Sequence, residues 1–182
     1  MGIVLGLDDL DADDRALALA AQAAADHAYA PYSGYAVGAA LRTRDGVIHV
    51  GCNVENAAYG VVLCAEVGAL AAANVAGAGA AVVTIAVTGR LMAAGTAPDG
   101  AAAGGALVND APASGAVVDD APAGGAVVTP CGRCRQLILE AGHRARHDIR
   151  VLCCNHDLSR VAVFTIAQLL PHGFGPGSLG LG

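Results

Sequence analysis

The chain has 182 residues, 55% of them apolar, 14% charged and 3% aromatic, a length that suits one domain with a core built from small side chains. Ten arginines, no lysine and sixteen acids leave a net charge of -6, which argues against the basic face of a protein that coats nucleic-acid phosphates. Small molecules are the expected partners.

The first residues carry acids rather than the basic start of a secretory signal, so a cytoplasmic location is expected. Acids between Asp8 and Asp14 lead into an alanine-rich helix ending near Tyr29, with Leu17, Ala20, Ala21, Ala24 and Ala28 on one face. Pro31 stops it. Residues 36–42 read as a strand, Asp45-Gly46 as a hairpin turn and 47–50 as the return strand. A helix over 64–76 and a buried strand over 81–87 follow. Residues 67–89 contain no charge and are long enough to span a membrane. Gly77 and Gly79 interrupt them, and Asn74, Thr84 and Thr88 are polar, so a helix followed by a strand is expected and no membrane span. Further on, 132–141 reads as a helix ended by Gly142, 149–154 as a strand, and 165–170 as a short helix stopped by Pro171. Strands alternating with helices indicate a single layered α/β domain over 1–182 with some antiparallel pairing.

The stretch 95–125 departs from this pattern, holding Ala, Gly, Pro and Asp without helical or strand period. Residues 109–118 recur almost unchanged as 119–128, a period too short for helical or propeller repeats. A duplicated surface loop is expected here rather than a lid or an assembly contact, because nothing large is available to bury.

Three features carry chemistry. Cys64-Ala65-Glu66 and Pro130-Cys131-Gly132-Arg133-Cys134 each stand at a predicted helix start, and Asn53-Val54-Glu55-Asn56 lies in a loop. In a cytosolic chain, clustered cysteines point to metal or catalysis rather than to disulfides. A Cys-x-x-Cys turn places two sulfurs on one zinc; a third from Cys64 leaves one vertex of the tetrahedron for water, as in catalytic sites. Helix starts also stabilise anionic sulfur. Zinc lowers the pKa of its water to about 7, and Glu66, two residues from a ligand, is close enough to move protons without binding the metal. Singly, each feature has a bland explanation, a buried thiol or a first-turn carboxylate. Their combination does not. Cys52, Cys153 and Cys154 are expected as small apolar side chains, the last two on opposite faces of one strand.

Cys-Ala-Glu followed by Pro-Cys-Gly-x-Cys-Arg-Gln is similar to the signature of the zinc deaminases, with cysteine in place of the first histidine. Residues 31–41 (PYSGYAVGAAL), 51–60 (GCNVENAAYG) and Leu169-Leu170-Pro171 with Phe174 resemble the small homotetrameric cytidine deaminases of the three-cysteine type. The resemblance covers most of the chain outside 95–125. It implies a three-layer α/β/α sandwich with a mixed five-stranded sheet. It also implies hydrolytic deamination of cytidine or deoxycytidine to the uridine product with release of ammonia. Zinc-bound hydroxide would attack the ring and Glu66 would shuttle the protons.

By the same resemblance, Cys64, Cys131 and Cys134 hold the zinc, the Ala65 N–H meets the base carbonyl, and the Thr129 carbonyl receives the departing ammonia. Asn53 and Glu55 grip the ribose 3′-hydroxyl, a task suited to a donor beside an acceptor. Tyr35 packs on the pyrimidine, while Ala57, Tyr59 and Phe174 reach the site of a neighbouring subunit.

Two positions depart from the family pattern. Tyr35 stands where Phe is usual, adding a hydroxyl that needs a partner or solvent. Val67 stands where many relatives carry an arginine beside the thiolates; Arg133 or Arg135 is the candidate to replace that charge. These departures leave room for a modified cytosine nucleoside, such as a blasticidin-like antibiotic, as the substrate. A zinc-stabilised module without catalysis would need a fourth protein ligand, for which His143, His147 and His156 are the candidates. Editing of nucleic acid does not suit so acidic and aromatic-poor a chain.

Overall fold

The computed structural model describes residues 3–92 and 125–180. In order they form β1 (Ile3–Leu5), α1 (Ala12–Ala25), β2 (Tyr35–Thr43), β3 (Ile48–Cys52), α2 (Ala65–Val75), β4 (Val82–Leu91), α3 (Gly132–Ala145), β5 (Arg150–Cys154), β6 (Val161–Thr165) and α4 (Ile166–Leu169). The strands make one mixed sheet in the order β1-β6-β5-β4-β2-β3, in which β4 and β5 run parallel and every other neighbour antiparallel. The stretch expected to be a loop at 95–125 lies, Gly125 excepted, outside the described residues.

Strand alternation divides the core into two layers. Val37, Ala39, Leu41, Ile85, Val87, Val151 and Cys153 face Ala65, Ala69 and Ala73 of α2 and Ile138 and Ala141 of α3. Their neighbours Ala40, Ala86, Leu152 and Cys154 face Leu17, Ala18 and Ala21 of α1. The expected three-layer sandwich is therefore present, and Cys153 and Cys154 do point to opposite faces. Small residues let the layers close tightly. A Cβ on Gly38 would overlap the Ala21 carbonyl of α1, and one on Gly51 would overlap the Ala65 carbonyl of α2.

The sheet has six strands rather than five. β6 follows a tight turn after β5 and runs straight into α4, where Thr165 is both the last strand residue and the helix N-cap. β1 has three residues and pairs only with β6. Helix boundaries shift as well. α1 stops at Ala25, and Tyr29 instead bridges to Val54. α3 passes through Gly142, whose missing Cβ admits the His147 carbonyl, and ends at Arg146 in the left-handed conformation (φ 52°). The uncharged 67–89 stretch divides between α2 and β4, and among the described residues no helix is long and apolar enough to cross a membrane.

The α1 layer holds a buried acid. Asp14 is 1% exposed and pairs with Arg42 of β2 at 3.2 Å and Arg150 of β5 at 2.8 Å. Its own N–H is capped by the Asp11 carboxylate at 2.8 Å.

Candidate active site

Two helices begin at the site. Cys64 is the N-cap of α2 and Cys131 the N-cap of α3, and neither thiol caps its helix by a hydrogen bond. Both sulfurs are thus free for another partner beside a positive helix end. Cys134 is buried in the first turn of α3. The three Sγ atoms lie within 4.8 Å of one another, Cys64 and Cys131 at 3.9 Å. Zn–S bonds of about 2.3 Å in a tetrahedron separate the sulfurs by about 3.8 Å, so the trio fits zinc in spacing and in ligand softness. Among the described residues the group contains no fourth His, Cys, Asp or Glu. His143, His147 and His156 are exposed and outside it.

Contacts with the Cys134 and Cys64 sulfurs, and with the backbone N–H groups of Cys134 and Arg133, hold Cys131 below the ordinary thiol range. The same contact with Cys131 pushes Cys64 and Cys134 up. Metal binding at such a set displaces the remaining protons. Glu66, in the first turn of α2, is 4% exposed, and its Oε2 accepts the Cys134 thiol at 3.4 Å. Burial pushes its carboxyl above the usual carboxylate range.

These residues open onto a narrow, solvent-open cleft lined by Val37, Asn53, Cys64, Ala65, Glu66, Val128, Thr129 and Cys131. Asn53 is buried and held to β2 at both ends. Its Oδ1 accepts the Val37 N–H at 2.8 Å, and its Nδ2 donates to the Tyr35 carbonyl at 2.9 Å. One amide N–H is left over. Glu55 is half-buried; its Oε2 accepts the Tyr32 and Ser33 N–H groups at 2.8 and 3.2 Å.

Other sequence candidates lie apart from the cleft lining. The Tyr35 ring packs on Gly89 of β4, where a Cβ would stand 2.7 Å from its Cε1, and burial raises its phenol pKa. Ala57 and Tyr59 are exposed, the Tyr59 ring meeting Tyr32 edge-on at 6.1 Å, and Phe174 is 60% exposed. Arg133 donates to the Val62 carbonyl at 3.2 Å, and Arg135 to three oxygens around the 129–130 segment and α4. Sequence reasoning missed Val37 and Val128. Val37 was findable, since it shares the face of Tyr35 two residues earlier; Val128 was hidden at the end of the repeat.

A family model described as the cytidine and deoxycytidylate deaminase zinc-binding region matches residues 5–90. The chain is 36% identical over 156 residues to a cytidine deaminase of Mycobacterium tuberculosis, covering 86% of this chain and 84% of that protein. Its fold matches a crystal structure of cytidine deaminase from Burkholderia pseudomallei with a TM-score of 0.63 at 35% identity, over 87% of this chain and 97% of the other. The cytidine deaminase structure from Mycobacterium tuberculosis matches with a TM-score of 0.59 at 31% identity, over 91% and 99%. With its three-sulfur zinc site and buried glutamate, the chain belongs to the cytidine deaminase family of zinc-dependent hydrolases.

Proposed function

We propose that this chain hydrolyses cytidine or deoxycytidine to uridine or deoxyuridine with release of ammonia. The observation that carries the reading is a three-thiolate group with no fourth protein ligand among the described residues, opening beside a buried glutamate onto a small cleft. Zinc held by Cys64, Cys131 and Cys134 supplies a water acidic enough to serve as nucleophile near neutral pH.

The chain's own groups do the rest. Glu66 takes the proton that the attacking water gives up, delivers it to ring N3, and carries the second proton to the exocyclic nitrogen. A new C4–O bond forms, the C4–N bond breaks, and ammonia leaves. A carboxyl whose pKa burial has raised suits a group that must both accept and return a proton. The Ala65 N–H, at the start of α2, holds the base carbonyl, and the Thr129 carbonyl accepts from the leaving ammonia. The spare N–H of Asn53 and the free oxygen of Glu55 hold the ribose 3′-hydroxyl, both side chains being fixed by the backbone bonds described above. Tyr35 packs beside the pyrimidine. The exposed Ala57, Tyr59 and Phe174 complete the site of a second copy in a homotetramer. Six unpaired cysteines suit a cytoplasmic location, where thiols stay reduced.

A substrate panel tests this. Zinc-loaded protein should consume cytidine or deoxycytidine and release one ammonia per uridine formed, leaving free cytosine and blasticidin-like nucleosides largely untouched. Turnover of the antibiotic alone would reject the assigned substrate while keeping the chemistry.

A further inference from the structure

One side chain ties together the wall of the cleft and is assigned no part in the chemistry above. The Arg135 side chain, half-buried in α3, bonds two successive residues of the segment that enters the site, Thr129 and Pro130. Its Nε donates to the Pro130 carbonyl at 2.8 Å, and its Nη2 to the Thr129 hydroxyl at 3.1 Å. The remaining arm, Nη1, donates to the Leu169 carbonyl at 3.2 Å and so anchors the fork to the end of α4.

The geometry is specific to arginine. A planar guanidinium reaches three oxygens in different directions at once, whereas an ammonium acts as one compact charge. Thr129 is 1% exposed and lines the cleft with Cys131. The segment that carries a metal ligand and the cleft wall therefore has its path set from the far side by one residue. Carbonyl and hydroxyl oxygens oriented by a charged donor keep that orientation at lower cost than oxygens held by neutral donors.

We propose that Arg135 is a positioning residue: by fixing Thr129 and Pro130 it aims the Thr129 carbonyl into the cleft and holds the next residue, Cys131, in register with Cys64 and Cys134. The proposal rests on the deaminase reading for its activity arm, but not for its metal arm. Outer groups that orient a metal ligand are typically worth about 10- to 100-fold in metal affinity or activity.

The test compares zinc-loaded wild type, Arg135→Ala and Arg135→Lys. Three quantities are measured: cytidine kcat/KM, the rate at which zinc passes to a chromogenic chelator, and the thermal midpoint. Arg135→Ala is expected to lose about 10- to 100-fold in kcat/KM at a temperature where it is fully folded, and to surrender zinc about tenfold faster. Millimolar guanidinium chloride, far below the molar range that unfolds proteins, should restore part of both; equal sodium chloride should not. Arg135→Lys should fall between the two. A lowered midpoint with wild-type kcat/KM and wild-type zinc release would overturn the proposal, leaving a structural staple. If Arg135→Ala fails to fold, Arg135→Lys is judged by the same criteria. A wild type that holds zinc yet leaves cytidine unchanged would sink the deaminase reading, and the chelator arm alone would then decide the role of Arg135.

Discussion

Glu66 Oε2 and Cys134 Sγ lie 3.4 Å apart, joining the first turn of α2 to the first turn of α3 inside the core. A thiol donates to a carboxylate in this pair. When Cys134 is a metal-bound thiolate, the contact is favourable only if the carboxyl carries the proton, and burial already biases Glu66 that way. The same carboxyl can then serve as the hydrogen-bond donor to a ring nitrogen.

Replacing Glu66 by Gln keeps the shape and a donor but removes the exchangeable acid. Turnover of cytidine should fall by about 10²- to 10⁴-fold, with one zinc per chain still found by metal analysis. A variant with near wild-type turnover would remove Glu66 from the mechanism.

The six cysteines should react in sharply different ways with an aromatic disulfide reagent at mild alkaline pH. Burial pushes Cys154 up to about 12 and Cys153 higher still, so both stay silent until the protein unfolds. Cys52 is half-buried, its thiol donating to the His27 carbonyl at 3.3 Å, and it reacts slowly. Cys64, Cys131 and Cys134 are protected by zinc; on adding a chelator the half-buried Cys131, held low, should react first and the buried Cys134 last. Labelling of these three at the rate of free thiols in the zinc-loaded protein would speak against a shared metal.

Asp14 is an acid in the core between two arginines, and Arg42 Nε is buried without a partner of its own. Asp14→Ala leaves Arg42 with its exposed partner Asp13 at 2.7 Å and part-exposed Arg150 without its Asp14 partner, and should cost about 1–3 kcal/mol in urea unfolding. Zinc content and the cytidine KM of the folded fraction should not change, since α1 lies across the sheet from the site. A loss below about 1 kcal/mol would show that solvent reaches the pair, as it does in surface ion pairs.

Much of the site was legible because thiolates at helix starts, spaced as Cys-x-x-Cys with a third partner and a glutamate, have few other uses. The layered fold was legible from alternating periods, and Cys153 beside Cys154 already told which faces a strand presents. What stayed hidden depended on contacts between segments far apart in the chain. Local reading missed β1, which has three residues, and β6, which could not be separated from α4 because Thr165 ends one and caps the other. α3 runs past Gly142 because the His147 carbonyl fills the place of a side chain, which no local rule reveals. Asp14 looked like one more acid at a helix start until Arg42 and Arg150 arrived from two strands. Arg135 bonds mainly to backbone oxygens, which carry no sequence signature at all.

The proposed sharing of sites between subunits predicts complementation. Phe174 is exposed, yet its carbonyl accepts from Gln136 Nε2 at 2.6 Å, so the segment that bears it is fastened to α3. Phe174→Ala should raise the cytidine KM severalfold with little change in kcat, as expected when binding is lost equally from substrate and transition state. Mixing Phe174→Ala with Glu66→Gln through a cycle of dissociation and reassembly should recover activity above the sum of the two. Strict additivity would place Phe174 outside any shared site.

Cobalt in place of zinc offers the most direct test of the metal site. Cobalt-loaded protein should show the intense visible bands of a tetrahedral ion with three sulfur ligands. Those bands should shift when a small competing anion or a cytidine analogue is added, because one vertex is open to exchange. Spectra of a four-ligand protein site, unmoved by either addition, or failure of the Cys64, Cys131 and Cys134 set to bind the ion, would contradict a catalytic metal at this place.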